Sequence, residues 1–259
     1  MSAGSSLKTG QQPLEDLIAE SDRVISAAQA ANVPIRLTGG LAIRRRHRSA
    51  TIPPLARSYA DLDLATTSKV GHRAITEFME RLGYVGDQMF NSLHGNERLY
   101  YQDPSRDRHV DIFVDAVRMC HVINFKQRLM YLNDTLPVSD LLLTKLQIVQ
   151  LNMKDMLDIM AVLHDQTIQA NAHDAIDSAY LEDVWGADWA IWRTSRGTLA
   201  KTKEIAPTVL DAEGMERVTK NLDALEEILR SGKKSLRWSM RARGGERVKW
   251  YELPEEVAQ

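Results

Sequence analysis

Residues 59–66 have the sequence Tyr59-Ala60-Asp61-Leu62-Asp63-Leu64-Ala65-Thr66, in which acidic and apolar residues alternate. Successive side chains of a β-strand point to opposite faces, so Asp61 and Asp63 share one face while Leu62 and Leu64 face a core. Two neighbouring carboxylates repel each other and would weaken a purely structural strand. Mg²⁺ prefers oxygen ligands, usually one or two carboxylates together with substrate phosphates. The pattern therefore predicts a metal site at Asp61 and Asp63, or else a polar edge strand with two solvated acids.

The composition is typical of a soluble globular protein. The chain has 259 residues, of which 44% are hydrophobic and 26% charged, and its net charge is -2. This charge argues against a surface that is wholly coated by nucleic acid, although basic patches remain compatible with it. A single cysteine, Cys120, excludes an internal disulfide and fits a reducing compartment. Since no apolar run approaches membrane-spanning length and the first twelve residues lack an apolar signal core, we expect a cytoplasmic protein without membrane contact.

A glycine pair follows a short predicted strand at residues 34–38. Gly39 and Gly40 come directly after that strand, and a helix begins at Leu41. Glycine lets the backbone approach an anion closely, and a helix N-terminus offers free N–H groups and a positive dipole. The arrangement suits a bound phosphate, and a simple tight turn is the other interpretation. Arg57, just before the acidic strand, is a candidate phosphate contact.

A second strand pattern supplies a third carboxylate. Residues 109–115 read His109-Val110-Asp111-Ile112-Phe113-Val114-Asp115, and residues 97–102 alternate well enough to form the preceding strand of a hairpin. If this hairpin lies beside the acidic strand, Asp111 comes next to the first two acids.

These motifs together resemble the nucleotidyltransferase fold shared by DNA polymerase beta and many small nucleotidyltransferases. The matching segments are Leu37-Thr38-Gly39-Gly40-Leu41-Ala42, Asp61-Leu62-Asp63 and Val110-Asp111-Ile112. The resemblance implies that Asp61 and Asp63 bind two Mg²⁺ ions and the nucleotide phosphates, and that Asp111 completes the site and helps to activate an acceptor hydroxyl. It also implies that Thr38, Gly39 and Gly40 hold the triphosphate.

A downstream segment resembles the C-terminal motifs of the AbiEii-type nucleotidyltransferases, some of which are toxins of toxin–antitoxin pairs. In that family a Lys-Leu pair on one helix precedes a Lys/Arg-Asp-x-x-Asp on the next, as Lys145-Leu146 precedes residues 154–158 here. The implied roles are Lys145 on a nucleotide phosphate, and Asp155 or Asp158 near the reacting hydroxyl. The residues alone leave other interpretations open, with Lys145 as an exposed helix charge and Asp155 as an N-terminal cap.

The resemblance covers roughly residues 33–165, about half of the chain. The linker between Gly40 and Asp61 is rich in Arg and Pro, and the tail after residue 165 matches no toxin of that family. Apolar spacing in the second half predicts helices at 141–149, 155–163, 172–181, 185–203 and 215–229. The tryptophans of the fourth helix are interpreted as core residues rather than as a base-stacking platform.

The C-terminal segment is the most basic of the chain. Trp238 and Trp250 alternate there with basic residues, a combination that suits RNA stacking. Before Glu252, only Glu246 opposes the positive charges. A solvated, twisted hairpin around Gly244-Gly245 is the other interpretation. The basic residues are Lys233, Lys234, Arg237, Arg241, Arg243, Arg247 and Lys249.

We therefore predict an α+β fold, with a small mixed β-sheet nucleotidyltransferase core with helices, followed by a mostly helical C-terminal region. The predicted parts are a flexible arm (1–12), the core (13–137) and a helical domain with a basic tail (138–259). The predicted function is Mg²⁺-dependent transfer of an NMP from an NTP to a hydroxyl of RNA or tRNA, of a protein, or of a small molecule. The protein is either an enzyme of this kind, which includes a toxin controlled by an antitoxin-like partner, or a non-catalytic nucleotide- or RNA-binding module with the same fold.

Overall fold

The computed structural model describes residues 12–253. The predicted flexible arm lies, apart from Gln12, outside the described residues. The described chain combines a small mixed sheet with helices and continues into a mostly helical second half. The predicted α+β class is thereby confirmed.

A five-stranded mixed sheet carries the acidic stretch in one of its inner strands. The strands are β1 (Arg36–Leu37), β2 (Leu62–Thr66), β3 (Val85–Gly86), β4 (Arg98–Gln102) and β5 (His109–Val114). Their order in the sheet is β1-β2-β5-β4-β3. β2 and β5 are parallel, and the other neighbours are antiparallel. Because β2 lies between two partners, the edge-strand interpretation of the acidic stretch is wrong.

The pairing of β2 with β5 puts the acids on one face and a core on the other. Asp63 lies opposite Asp111 in the register of the two strands. Leu62 and Leu64 on β2, like Ile112 on β5, are fully buried. The predicted hairpin of residues 97–102 and 109–115 is confirmed as β4 and β5. The period-2 pattern therefore predicted the acid-bearing face correctly.

Helices cover the sheet. α1 (Leu17–Ala30) begins after Asp16, whose carboxylate accepts the N–H of Ala19 at 2.7 Å. The helix buries Val24, Ile25 and Ala28. The other helices of this half are α2 (Gly39–Arg46), α3 (His72–Arg81) and α4 (Gln88–His94).

The second half is built mainly from helices that share one core with the first half. They are α5 (Val138–Leu146), α6 (Met153–Asp165), α7 (Ser178–Ala187), α8 (Trp189–Val209), α9 (Ala212–Ser231) and α10 (Leu236–Gly244). α2 contacts both α5 and α6, and one buried apolar cluster contains residues from both sides of residue 137. The predicted division into two domains stays a prediction. Across residues 12–253, no helix is both long and apolar enough to cross a membrane.

Two local predictions are wrong, and two small elements were missed. The missed elements are α4 and the hairpin of β6 (Ala116–Arg118) and β7 (Val122–Asn124). The helix predicted at 172–181 starts only at Ser178, after the small strand pair β8 (Ile168–Gln169) and β9 (Ile176–Asp177). The alternative hairpin around Gly244-Gly245 is instead the end of α10. These segments are short, and α4 buries only a polar residue, Asn91, so the apolar pattern carries little information there.

Candidate active site

Asp61, Asp63 and Asp111 lie near one another on the β2–β5 pair, close enough for the charges of Asp61 and Asp111 to act on Asp63. Asp61 directly precedes β2 and is half-exposed, whereas Asp111 is buried. Asp63 lies between them in a partly buried position. Burial, and next the Asp111 carboxylate, raise the pKa of Asp63 to about 6, although the Lys145 ammonium acts in the opposite direction. Such a carboxylate is stabilised in its charged form by an additional cation.

The start of α2 lies directly against Asp63. Gly39 has a φ of +64°, and a Cβ at this position would collide with the Asp63 carboxylate. Glycine is therefore required both by the backbone conformation and by the close approach. The Thr38 N–H donates to the Asp63 carbonyl at 2.9 Å, and the Thr38 hydroxyl is buried with no hydrogen-bond partner. The predicted glycine pair thus forms a helix start beside the acids, with a free hydroxyl next to it.

A cleft of about 640 Å³ opens over these groups. Its size falls in the range of small-molecule and cofactor sites. The residues at its polar wall are Thr38, Gly39, Asp63, Arg98, Asp111, Lys145, Asn152 and Asp155. The structure therefore brings the predicted helix start, three of the predicted acids and the predicted lysine together in one cleft, whereas Asp61 and Gly40 do not line it.

Lys145 is partly buried between two carboxylates. Its Nζ lies 2.9 Å from an oxygen of Asp155 and 2.9 Å from an oxygen of Asp158. Burial acts to lower the pKa of Lys145, but Asp158 and then Asp155 outweigh it and raise the pKa above its ordinary value. The interpretation of Lys145 as an exposed helix charge is wrong. Asp155 is not the cap of α6 either, because Asn152 holds that position and accepts the Asp155 N–H.

Arg57 and Asp158 lie outside the lining of the cleft. The Arg57 guanidinium donates to both oxygens of Asp158, at 2.8 and 2.7 Å, and lies 4.1 Å from the centre of the Tyr59 ring. A Cβ at Gly40 would collide with this guanidinium. Arg57 was expected at a phosphate and Asp158 near the reacting hydroxyl. In the structure Asp158 pairs with both Arg57 and Lys145. Arg57 and Asp158 therefore hold Lys145 in place without lining the cleft themselves.

Arg98 is a cleft residue that the sequence analysis missed. Its Nε donates to Asp111 at 2.7 Å, and its guanidinium lies near the rings of Phe90 and Phe113. Tyr100 pairs directly with Asp111 in the β4–β5 register. Since Arg98 lies two residues from Tyr100 on the same face, the hairpin pattern contained the information needed to find it.

The carboxylates can hold a divalent cation only after two of them exchange their present side-chain contacts for the metal. Asp61 lies 3.3 Å from the Nε2 of His109, and Asp111 is paired with Arg98. Within residues 12–253, no three His, Cys, Asp or Glu side chains form a ready-made ligand group. The carboxylate oxygens are nevertheless the hard ligands that Mg²⁺ prefers, and the raised pKa of Asp63 favours a cation beside it. Binding of two Mg²⁺ ions by Asp61, Asp63 and Asp111 stays a prediction.

Comparison with known proteins does not assign a family. No protein-family model matches the chain. No curated protein matches it either. The resemblance to nucleotidyltransferases therefore depends on the motifs and on their arrangement around the cleft.

Proposed function

We propose that this protein is a Mg²⁺-dependent nucleotidyltransferase that moves an NMP from an NTP to a hydroxyl acceptor. The observation that carries the proposal is the arrangement of Asp63, which faces Asp111 across two parallel strands while the glycine start of α2 lies against its carboxylate. A carboxylate pair beside an anion-binding helix start is what a cation–triphosphate complex requires.

Asp61, Asp63 and Asp111 would hold the cations. When bound, Mg²⁺ would lower the pKa of the acceptor hydroxyl and neutralise the charge that develops on the leaving group. The N–H groups at the start of α2 and the Thr38 hydroxyl, which has no hydrogen-bond partner among the described residues, would bind the β- and γ-phosphates. Lys145 would contact a phosphate in exchange for part of its pairing with Asp155 and Asp158.

The transfer balances as a single displacement. The acceptor oxygen forms a bond to the α-phosphorus, and the bond from that phosphorus to the bridging oxygen of the β-phosphate breaks. Pyrophosphate leaves with the electron pair. The hydroxyl proton passes to a carboxylate at the position of Asp111 and from there to solvent.

The carboxylates argue against the non-catalytic alternative, because a module that only binds nucleotides does not need three acids at one place. The proposal includes three classes of acceptor, which are RNA or tRNA, proteins and small molecules. A toxin-like protein with an antitoxin-like partner is one form of the same activity, and the reducing cytoplasm is its proposed compartment.

The test is transfer of label from each α-labelled NTP, with Mg²⁺, to total RNA, to small-molecule pools and to the protein itself. Asp63→Asn protein is the matched control, since the amide keeps the shape of the side chain and removes its charge. Label that depends on Asp63 would support the proposal. Binding of NTP–Mg²⁺ without any transfer would favour the non-catalytic module, and full transfer by Asp63→Asn would overturn the assignment of the site.

A further inference from the structure

The basic C-terminal segment returns to the wall of the active-site cleft. After α10 the chain turns at Gly245–Arg247 and runs back toward the β6–β7 hairpin. The Glu252 N–H donates to the Cys120 carbonyl at 3.1 Å, and Leu253 lines the active-site cleft. The most basic stretch of the sequence therefore ends beside the carboxylates rather than in a remote tail.

A second cavity, here called the tryptophan groove, lies between this segment and α8. Its volume is about 560 Å³. Met119 and Cys120 line both this groove and the active-site cleft, so the two cavities adjoin at the β6–β7 turn. A ligand lying in the groove would have one end at the mouth of the cleft.

The groove is lined by aromatic rings that do not stack in parallel with each other. Trp250 meets Trp189 edge-on, at 6.2 Å and 80°, and Tyr251 meets Trp250 at 5.2 Å and 74°. Trp238 is also in the wall, and its buried Nε1 has no hydrogen-bond partner. Trp238, Trp250 and Tyr251 are each partly exposed. These rings offer the flat faces on which bases stack.

The charge of the groove is positive. Arg237, Arg241 and Lys249 line it, against Asp188 and Glu252. Asp188 is occupied as the N-terminal cap of α8, and Glu252 is paired with Lys249. Arg237 is exposed and has no ion-pair partner among the residues that the structure describes.

Arg241 has a structural role in the groove. Its guanidinium donates to the carbonyls of Gly245 and Val248, at 2.9 and 2.7 Å, and lies 4.5 Å from the centre of the Trp189 ring. It thereby fixes the returning segment against α8. Within residues 12–253, Arg237 is left as the unpaired cation on the accessible rim, where Lys249 is exposed but paired with Glu252.

We propose that the tryptophan groove is the acceptor subsite and that it takes the 3′ end of a single-stranded RNA. The bases stack on Trp238 and Trp250, and the backbone phosphates lie against Arg237 and against Lys249, which exchanges its exposed pairing with Glu252 for a phosphate. The terminal hydroxyl enters the cleft past Met119. Aromatic rings between cations are the common solution for binding single strands without reading their sequence. This inference depends on the proposed nucleotidyl transfer for the use of the site, but binding itself can be tested without turnover.

The experiment measures binding of a 5′-labelled single-stranded RNA with a free 3′ hydroxyl to the full chain by fluorescence anisotropy at several salt concentrations. Trp250→Ala is expected to weaken binding about tenfold, through loss of one stacked base, and Trp250→Phe much less. Arg237→Ala, an exposed change that leaves the core untouched, is expected to weaken binding several-fold and to reduce the salt slope by about one. Arg217→Ala on α9, where the arginine is exposed and paired with Glu213, is the matched control and should change nothing.

The outcomes separate this inference from the proposed function. RNA binding that is lost in Trp250→Ala and Arg237→Ala but kept in Asp63→Asn supports the groove. The same binding result without any transfer of label would support RNA binding in the groove and contradict the proposed enzymatic activity. Unchanged RNA binding in both groove variants would overturn the assignment of the groove as the RNA subsite. Transfer of label to a protein or a small molecule, by a chain that binds no RNA at low salt, would overturn it as well.

Discussion

Asp63 and Asp111 face each other at the same register position of two parallel strands. Burial disfavours the charged form of Asp63, and the like charge of the Asp111 carboxylate acts in the same direction. Together they raise the pKa of Asp63 to about 6. A cation bound beside Asp63 would stabilise its charged form.

The raised pKa of Asp63 predicts that the protein loses stability as the pH rises, which is the opposite of the effect of an ion-paired carboxylate. The pKa of Asp63 rises from its ordinary 3.8 to about 6 in the folded chain, so between these values the folded state holds a proton that the unfolded state has lost. Without divalent metal, the free energy of unfolding should therefore fall, relative to Asp63→Asn, as pH rises from about 4 to about 6, by up to about 3 kcal/mol. Urea unfolding of both proteins across this range measures the difference. A pH-independent difference would mean that Asp63 ionises normally.

Arg98 is expected to compete with the metal. Arg98→Met removes the guanidinium that pairs with Asp111 and should strengthen Mn²⁺ binding about fivefold, an effect of about 1 kcal/mol for a partly exposed charge. Arg98→Lys keeps the charge and should bind Mn²⁺ nearly as the wild type does. Calorimetric titration gives the affinities. Weaker Mn²⁺ binding by Arg98→Met would instead mean that Arg98 orients Asp111 for the metal.

Asp158 is expected to matter for stability more than for chemistry. Asp158→Asn leaves Arg57 without its partner and Lys145 with only Asp155. Loss of one member of a buried ion-pair network typically costs about 3 kcal/mol, which urea unfolding would detect. Glu77→Gln, in the exposed Arg73–Glu77 pair, is the control and should leave the unfolding midpoint in place. An unchanged midpoint in Asp158→Asn would show that the network does not stabilise the fold.

Gly39 and Gly71 form a natural comparison. Gly39→Ala places a Cβ in the left-handed conformation and against the Asp63 carboxylate, whereas a Cβ at Gly71 meets no atom within 4 Å. We expect Gly39→Ala to destabilise the protein by more than about 1 kcal/mol and to abolish NTP–Mg²⁺ binding, while Gly71→Ala binds normally. Thermal unfolding and nucleotide binding are the measurements. Normal binding by Gly39→Ala would contradict the proposed phosphate position.

The arrangement of the acids was predictable because it depends only on the two-residue period of strands. Asp61, Asp63 and Asp111 alternate with core leucine, valine and isoleucine residues, and this pattern leaves one choice of face. The glycine pair was predictable for a similar reason, since a strand, two glycines and a helix start leave few backbone paths.

The ion-pair partners were not predictable, because side chains distant in sequence choose them only in three dimensions. Arg57 and Asp158 are separated by 101 residues, and either had alternative partners in the sequence. The small elements were missed because α4 buries only Asn91 and because each strand of the β6–β7 hairpin has only three residues. Local polar contacts, such as the Asp87 cap of α4, decide their structure instead.

The ion pairs of Arg57 and Lys145 with Asp155 and Asp158 also bear on the order in which the nucleotide and the cation bind. Arg57 and Lys145 are matched by Asp155 and Asp158, so this wall is close to electroneutral and attracts a polyanion only weakly. The acids at the opposite edge would repel a free triphosphate. Under the proposed function, NTP alone is therefore a poor ligand, and the nucleotide must arrive together with its cation or after it.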